Sequence, residues 1–287
     1  MPSRRPQSSS RRQTSCFPRV IATGLLLLFF TACRRQELAT PPPLATTPPT
    51  TLLNVGLSDN AAPLAQRWAN AYASETERAH VNFVEGNNGA LFDDLDDEEL
   101  DAILVHHIPE GRGDYWFNPV ALDGLVIVVH PDNPVASLAP EQVQRLFSGE
   151  TGNWSAAGGP DLAVVPYGQE RGDGARTVFT RRVMGARPVS INTVIFSSSA
   201  SLLEAIAGEP GAIGYTTLSA LDGTAKAVAI EGIAPAPETT ETQEYPLTVP
   251  LYFVAKGEPQ GELRALLAWL QSANGQSIVS EKVGSVR

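Results

Sequence analysis

The 287-residue chain is 43% hydrophobic and 18% charged, and it contains only two cysteines. This composition is typical of a globular protein and excludes a fully disordered, collagen-like or disulfide-stapled chain. Its 21 basic and 31 acidic residues give a formal charge of -10, which argues against a nucleic-acid partner because binding to polyphosphate needs clustered cations.

Residues 1–33 have the pattern of a secretion signal. A basic segment ending at Arg19 precedes an apolar run from Val20 to Phe30, which is too short to span a bilayer as a permanent helix. Thr31-Ala32-Cys33 resembles a bacterial lipobox, so we expect Cys33 to be lipidated and the protein to be anchored to a membrane outside the cytoplasm. The alternative is a plain secretory signal with an incidental cysteine.

Residues 34–51 are rich in proline and threonine and show no apolar periodicity. They predict an extended tether of about 3 Å per residue. Cys16 would leave with the leader and Cys33 would carry lipid. The folded part would then have no cysteine for a disulfide or a metal site.

From Leu52 onward, short apolar strands alternate with amphipathic helices, which predicts an α/β fold with mainly parallel sheets. The predicted extended segments are 52–56, 81–84, 101–105, 122–130, 164–167, 212–215 and 245–255. The predicted helices contain residues 63–72, 140–147, 178–184, 202–207 and 261–287, with a short helix after Gly89. Residues 233–244 are predicted to form a loop or an exposed connection.

Two polar loops connect a predicted strand to a helix, at Ser58-Asp59-Asn60 and at 171–177, and Gly86-Asn-Asn-Gly89 has the same character. Free backbone N–H groups and the helix dipole make such junctions suitable for anions. Taken singly, such a loop more often serves as a cap or a turn. Arg171 and Arg176 beside a glycine turn in so acidic a chain favour an anion pocket.

The sequence lacks the residue patterns of several kinds of metal and catalytic site. His106-His107 follows a predicted strand, but the sequence contains no H-x-x-x-H or H-E-x-x-H pattern, which disfavours a metal site. The acidic run 93–99 lacks the glycine and spaced oxygen ligands of a calcium loop. No G-x-S-x-G motif is present, and Ser197-Ser-Ser199 has no marked catalytic partner. We therefore expect no enzymatic activity, no metal and no cofactor.

Several segments in order along 52–287 together resemble one family. They are 120–134, 146–154, 168–179, 210–215, 245–254 and 270–284. This pattern is similar to the phosphate-specific solute-binding proteins of ABC transporters. The resemblance implies a two-lobed type II periplasmic-binding-protein fold of the α/β class, with mixed, mainly parallel sheets and a hinge of crossing strands. It places the first lobe in 52–125 and 245–287 and the second in 126–244.

The resemblance also implies a set of ligand-binding residues, with departures from the family pattern. Asn88 stands where the family has serine, His106 falls near the family's acidic or polar position, and Ala175 and Arg176 replace serine and glycine. A neutral His106 could accept a hydrogen bond from a protonated phosphate oxygen. The implied residues are Ser58, Asp59, Asn60, Asn88, His106, Arg171, Gly174, Ala175, Arg176 and Thr177.

The function that follows from the resemblance is the capture of phosphate or a related oxyanion by lobe closure and its delivery to a membrane ABC permease. We expect this receptor to be extracytoplasmic, lipid-anchored and monomeric. The altered pocket loops leave an alternative open. In that alternative, a non-transporting relative with a different ligand, or with none, would act as a sensor or as a surface interaction module.

Overall fold

The computed structural model describes residues 50–111 and 115–286. The predicted leader and nearly all of the predicted tether lie outside these residues. Within the described part the chain forms ten strands and eight α-helices. The strands are β1 Thr51–Leu57, β2 Ala79–Glu85, β3 Ala102–Val105, β4 Trp116–Val129, β5 Ser137–Leu138, β6 Val165–Gln169, β7 Val194–Phe196, β8 Ala212–Thr217, β9 Lys226–Ile230 and β10 Thr248–Ala255. The helices are α1 Ala62–Glu75, α2 Asn88–Asp96, α3 Pro140–Ser148, α4 Gly174–Phe179, α5 Ser199–Gly208, α6 Pro237–Glu241, α7 Gly261–Leu270 and α8 Ala273–Ser280.

The strands form one mixed sheet in the order β2-β1-β3-β10-β4-β8-β6-β7. Its two flanks are parallel: β1 pairs with β2 and β3, and β6 pairs with β7 and β8. The strands β10 and β4 between the flanks pair antiparallel with their neighbours. The mixed, mainly parallel architecture and the crossing strands expected from the sequence are therefore confirmed.

Strand β4 is long and pairs with different strands along its length. Its first part, Trp116–Gly124, pairs with β10, and Leu125–Val129 pairs with β8, with β9 joining over the last three residues. Both faces of the strand are buried, because Val126 and Val128 belong to one apolar cluster while Leu125, Ile127 and Val129 belong to another. A continuous apolar run is the pattern expected of a strand that is covered on both faces.

Apolar residues make three clusters around this sheet. The largest packs α1 and α7 against β1 and continues across β4 to α5. A second packs α3 and α4 against β4 and β8, with Phe179 stacked on Tyr215 at a ring separation of 4.0 Å. The third packs α2 against β3 and β10. Helices therefore cover both faces of β4.

Some predicted elements differ from those in the structure. Strand β4 begins at Trp116, six residues before the predicted start, because 116–121 also pairs with β10. The predicted loop 233–244 contains α6, which begins with a proline and is held by the Thr239 hydroxyl. The predicted helix over 261–287 is two helices, and Ser272 caps the second. Strands β5, β7 and β9 were not predicted.

No helix in the described residues combines the length and hydrophobicity needed to cross a membrane.

Candidate ligand-binding site

Three of the predicted site residues follow three neighbouring strands. Ser58 comes directly after β1, Asn88 begins the helix that follows β2, and His106 comes directly after β3. These strands are parallel neighbours in the order β2-β1-β3, so their carboxyl ends lie at one edge of the sheet. All three residues are buried, with at most 5% of each exposed.

The loop before α4 approaches this edge from the other half of the chain. A Cβ atom built on Gly174 would lie 3.4 Å from Ser58 Oγ and 3.6 Å from Asn88 Oδ1. The Asn88 N–H donates to the Gly172 carbonyl at 2.9 Å. The predicted loops after β1, β2 and β6 are therefore brought together in the structure.

Four buried polar atoms on these residues have no hydrogen-bond partner. They are Ser58 Oγ, Asn88 Nδ2, Asn88 Oδ1 and His106 Nδ1. A buried polar group without a partner costs about 1–3 kcal/mol, and native structures contain few of them. A hydroxyl and an amide can donate hydrogen bonds, whereas an unprotonated imidazole nitrogen accepts one. The cluster is therefore chemically suited to a small polar ligand that both accepts and donates.

Asp59 and Asn60, also predicted to bind ligand, are engaged with the protein itself. Asn60 Nδ2 donates to Asp173 Oδ2 at 2.8 Å, and the Ser199 hydroxyl donates to Asn60 Oδ1 at 2.8 Å. Asp59 Oδ2 accepts from the Ser199 N–H at 2.7 Å. These bonds join the loop after β1 to the starts of α4 and α5.

The remaining predicted residues are in or near α4. Arg176 Nη1 donates to the Gln169 carbonyl at 2.6 Å, and the Thr177 hydroxyl donates to the Asp173 carbonyl at 2.9 Å. The buried Ala175 side chain offers no polar group. Arg171 is exposed and lines a cavity of about 310 Å³ together with Asp59, Asn87, Glu170 and Asp173. Its side chain is therefore not part of the buried cluster.

Asp173 begins α4 and carries a perturbed carboxyl. Burial raises its pKa above the ordinary aspartate value, the Arg176 N–H bond opposes that shift, and the neighbouring Asp59 charge adds to it. Its Oδ1 atom accepts from the Arg176 N–H at 2.8 Å, as a helix N-cap does. Asp173 therefore holds the loop in place, and its burial disfavours the charged form of its carboxyl group.

His106 has a buried partner that the sequence analysis did not assign. Its Nε2 atom lies 2.9 Å from Asp123 Oδ2, and neither side chain is exposed. Asp123 also accepts from the Ser219 hydroxyl at 2.5 Å, from the Ser219 N–H at 3.1 Å and from the Gly124 N–H at 2.8 Å. A signal was present, because Asp123 is a lone carboxylate within an apolar strand and such a group needs partners.

Ser199 and Gln169 were also missed as parts of this network. Gln169 Nε2 donates to the Ser199 hydroxyl at 2.8 Å, and both side chains are buried. The sequence suggests Ser199 only as a nucleophile, and it offers no partner for that role. The actual contacts of Ser199 are with residues distant in sequence, so local spacing carried no signal for them. In the described residues, no group of three or more His, Cys, Asp or Glu side chains could hold a metal ion.

Comparison with known proteins identifies the superfamily to which the chain belongs. Residues 44–274 match the PBP superfamily domain, so the chain belongs to the PBP superfamily. Among curated relatives, the phosphate-binding protein PstS of Bacillus subtilis is 31% identical over 166 residues, which are 57% of this chain and 55% of that protein. The chain thus spans about half the length of that relative. PstS of Pseudomonas aeruginosa is 26% identical over 273 residues, covering 79% of this chain and 80% of the relative.

Solved structures share the fold. A Clostridium perfringens substrate-binding protein with bound phosphate has a TM-score of 0.78 and 23% identity, with coverage of 83% of this chain and all of that one. An ABC-type phosphate transport receptor from Vibrio cholerae has a TM-score of 0.67 and 22% identity over 80% of this chain and 97% of that one. The periplasmic-binding-protein fold expected from the sequence is thus confirmed.

Proposed function

We propose that this protein is an extracytoplasmic solute-binding lipoprotein that captures phosphate, or a related oxyanion, for an ABC permease. The observation that carries the proposal is the buried cluster of unpartnered polar atoms on Ser58, Asn88 and His106. The binding proteins named among its relatives support phosphate as the ligand. A monomer is sufficient for this role, because the cluster is built within one chain.

In this proposal the oxyanion is held mainly by donors. Ser58 Oγ and Asn88 Nδ2 donate to its oxygens, and the backbone at Gly174 approaches closely because that residue has no side chain. His106 Nδ1 accepts from an oxygen that carries a proton. In this proposal the protein binds the oxyanion and breaks none of its bonds.

In this proposal the two lobes are 52–125 with 245–287, and 126–244. Residues of the two proposed lobes contact each other around the cluster. Asn60 contacts Asp173 and Ser199, and Asn88 contacts Gly172. Lobe closure would make these contacts and cover the ligand.

Calorimetric titration of the full-length chain with phosphate, and with sulfate as the comparison anion, tests this function. We expect phosphate to bind and Asn88→Ala to weaken it by about 5- to 150-fold, the equivalent of one lost hydrogen bond to a buried ligand. Asn192→Ala changes an exposed asparagine and should leave the affinity unaltered. Absence of binding heat with both anions would contradict oxyanion capture.

Lipid anchoring is the second part of the proposal, and it rests on the Thr31-Ala32-Cys33 motif. Cells expressing the protein would be fed a labelled fatty acid. We expect label in the wild type and in Cys16→Ala but none in Cys33→Ala. Label that persists in Cys33→Ala would contradict an anchor at that residue.

A further inference from the structure

We propose that Asp123 fixes the tautomer of His106 and thereby makes the site select tetrahedral oxyanions that carry a proton. This inference rests on the proposed function and identifies a residue that sets the specificity of the same site. Asp123 would be a positioning residue, because it acts on the ligand only through the imidazole.

The first step concerns the proton on His106. Asp123 Oδ2, which lies 2.9 Å from His106 Nε2, belongs to a carboxylate that also receives two backbone N–H groups and the Ser219 hydroxyl. A carboxylate only accepts hydrogen bonds, so the nitrogen facing it carries the proton. In the neutral ring the other nitrogen, Nδ1, is then an acceptor.

The second step concerns what Nδ1 meets. It is buried without a protein partner, and the same is true of Ser58 Oγ and of both atoms of the Asn88 side-chain amide. An oxyanion that carries one proton, such as phosphate at neutral pH, can donate a hydrogen bond to Nδ1 through that O–H group. Sulfate has no proton at neutral pH, so its oxygen lone pairs would face the Nδ1 lone pair. The acceptor at His106 therefore discriminates between the two anions.

The third step predicts how to reverse the preference. Oδ1 of residue 123 receives the Gly124 and Ser219 N–H groups. An asparagine at this position would place its amide oxygen at the Oδ1 position, because its NH₂ group would otherwise face these two N–H donors. Its amide nitrogen would then occupy the Oδ2 position and donate to His106 Nε2. The imidazole proton would move to Nδ1, and the site would present a donor in place of an acceptor.

The tautomer can be read directly by ¹⁵N NMR of the full-length chain labelled at histidine. The protein has four histidines, and the His106 signals are those absent from His106→Gln. We expect a protonated Nε2 and an unprotonated Nδ1 in the wild type and the opposite tautomer in Asp123→Asn. A wild-type His106 protonated at Nδ1, alone or together with Nε2, would overturn the proposal.

The consequence for binding is measured by calorimetry at neutral pH with phosphate and sulfate. We expect the wild type to prefer phosphate by about 5- to 150-fold and Asp123→Asn to lose or reverse that preference. Asp132→Asn makes the same charge change at an exposed position and should keep the wild-type preference.

The outcomes separate this inference from the proposed function. Wild-type protein that binds neither anion refutes oxyanion capture, while NMR still decides the tautomer. Phosphate preference that survives in a folded Asp123→Asn overturns the role of Asp123. If that variant does not fold, His106→Gln takes its place. The glutamine amide can rotate to donate a hydrogen bond, so the ratio of phosphate affinity to sulfate affinity should fall towards one. A ratio equal to that of the wild type would overturn the proposal.

Discussion

At Gly172 the backbone has a φ of +88°, in the region that side-chain-bearing residues rarely adopt. A Cβ atom there would also lie 2.8 Å from Asn87 Nδ2. Asn87 caps α2 through its bonds to the N–H groups of Gly89 and Ala90, and Gly172 O receives the Asn88 N–H. One glycine thus permits the turn before α4 and the close approach of the loop that carries Asn88.

We therefore expect Gly172→Ala to reduce both stability and anion affinity. Alanine in this conformation costs about 1–2 kcal/mol, and the contact with Asn87 displaces the loop that holds Asn88. Gly223→Ala is the matched control, because Gly223 also has a φ of +88° but no atom within 4 Å of the position that an alanine methyl group would take. Urea unfolding should show a loss of stability in both variants that is at least as large in Gly172→Ala, and calorimetry should show a loss of affinity in Gly172→Ala alone. Equal affinities would contradict this account.

At the scale of elements, the contact with β8 helps to hold α4, whose first residue, Gly174, lies at the site. The Phe179 ring of α4 stacks on the Tyr215 ring of β8 with planes 9° apart. The Tyr215 hydroxyl accepts the Gln169 N–H at 3.2 Å, and burial raises the pKa of Tyr215 to about 12. One aromatic side chain, Tyr215, therefore joins β8 to the end of β6 and to the end of α4.

The raised pKa of Tyr215 predicts that the free energy of unfolding depends on pH. The ordinary tyrosine pKa is 10.0 and the folded value is about 12, so in this interval the native state retains a proton that the unfolded state releases. The contribution of Tyr215 is complete below pH 10 and is lost as the pH rises towards 12. Its slope is about 1.4 kcal/mol per pH unit. Urea unfolding should show a shallower alkaline decline for Tyr215→Phe than for the wild type. Identical slopes would contradict the shift.

At the scale of the whole molecule, Asn60 joins the two parts that we propose as lobes. Its side chain bonds to Asp173 and Ser199, and its carbonyl receives the Ser219 hydroxyl at 3.0 Å and the Thr217 hydroxyl at 3.3 Å. All four partners lie in 126–244. A fully buried side chain that satisfies both its amide atoms across this boundary favours a closed arrangement.

We expect Asn60→Ala to open the molecule. The change leaves Asp173 Oδ2 and the Ser199 hydroxyl without their Asn60 partner, so water can compete for them more easily in an open form. Small-angle X-ray scattering should give a larger radius of gyration for the variant than for the wild type, each without added anion. Asn70→Ala, on the exposed face of α1, is the control and should match the wild type. An unchanged radius in Asn60→Ala would show that other contacts hold the lobes closed.

The sequence alone determined the α/β class, most of the elements and the loops that carry Ser58, Asn88 and Gly174, because apolar periodicity and glycine or cap residues are local signals. Its family resemblance also located His106. The tertiary structure decided which loop residues remain unpartnered and which are used within the protein: Asn60, Arg176 and Thr177 all have protein partners. Asp123 and Ser199 meet their partners across 17 to 140 residues of chain. Such contacts depend on how strands are ordered in the sheet, which local patterns in the sequence do not specify.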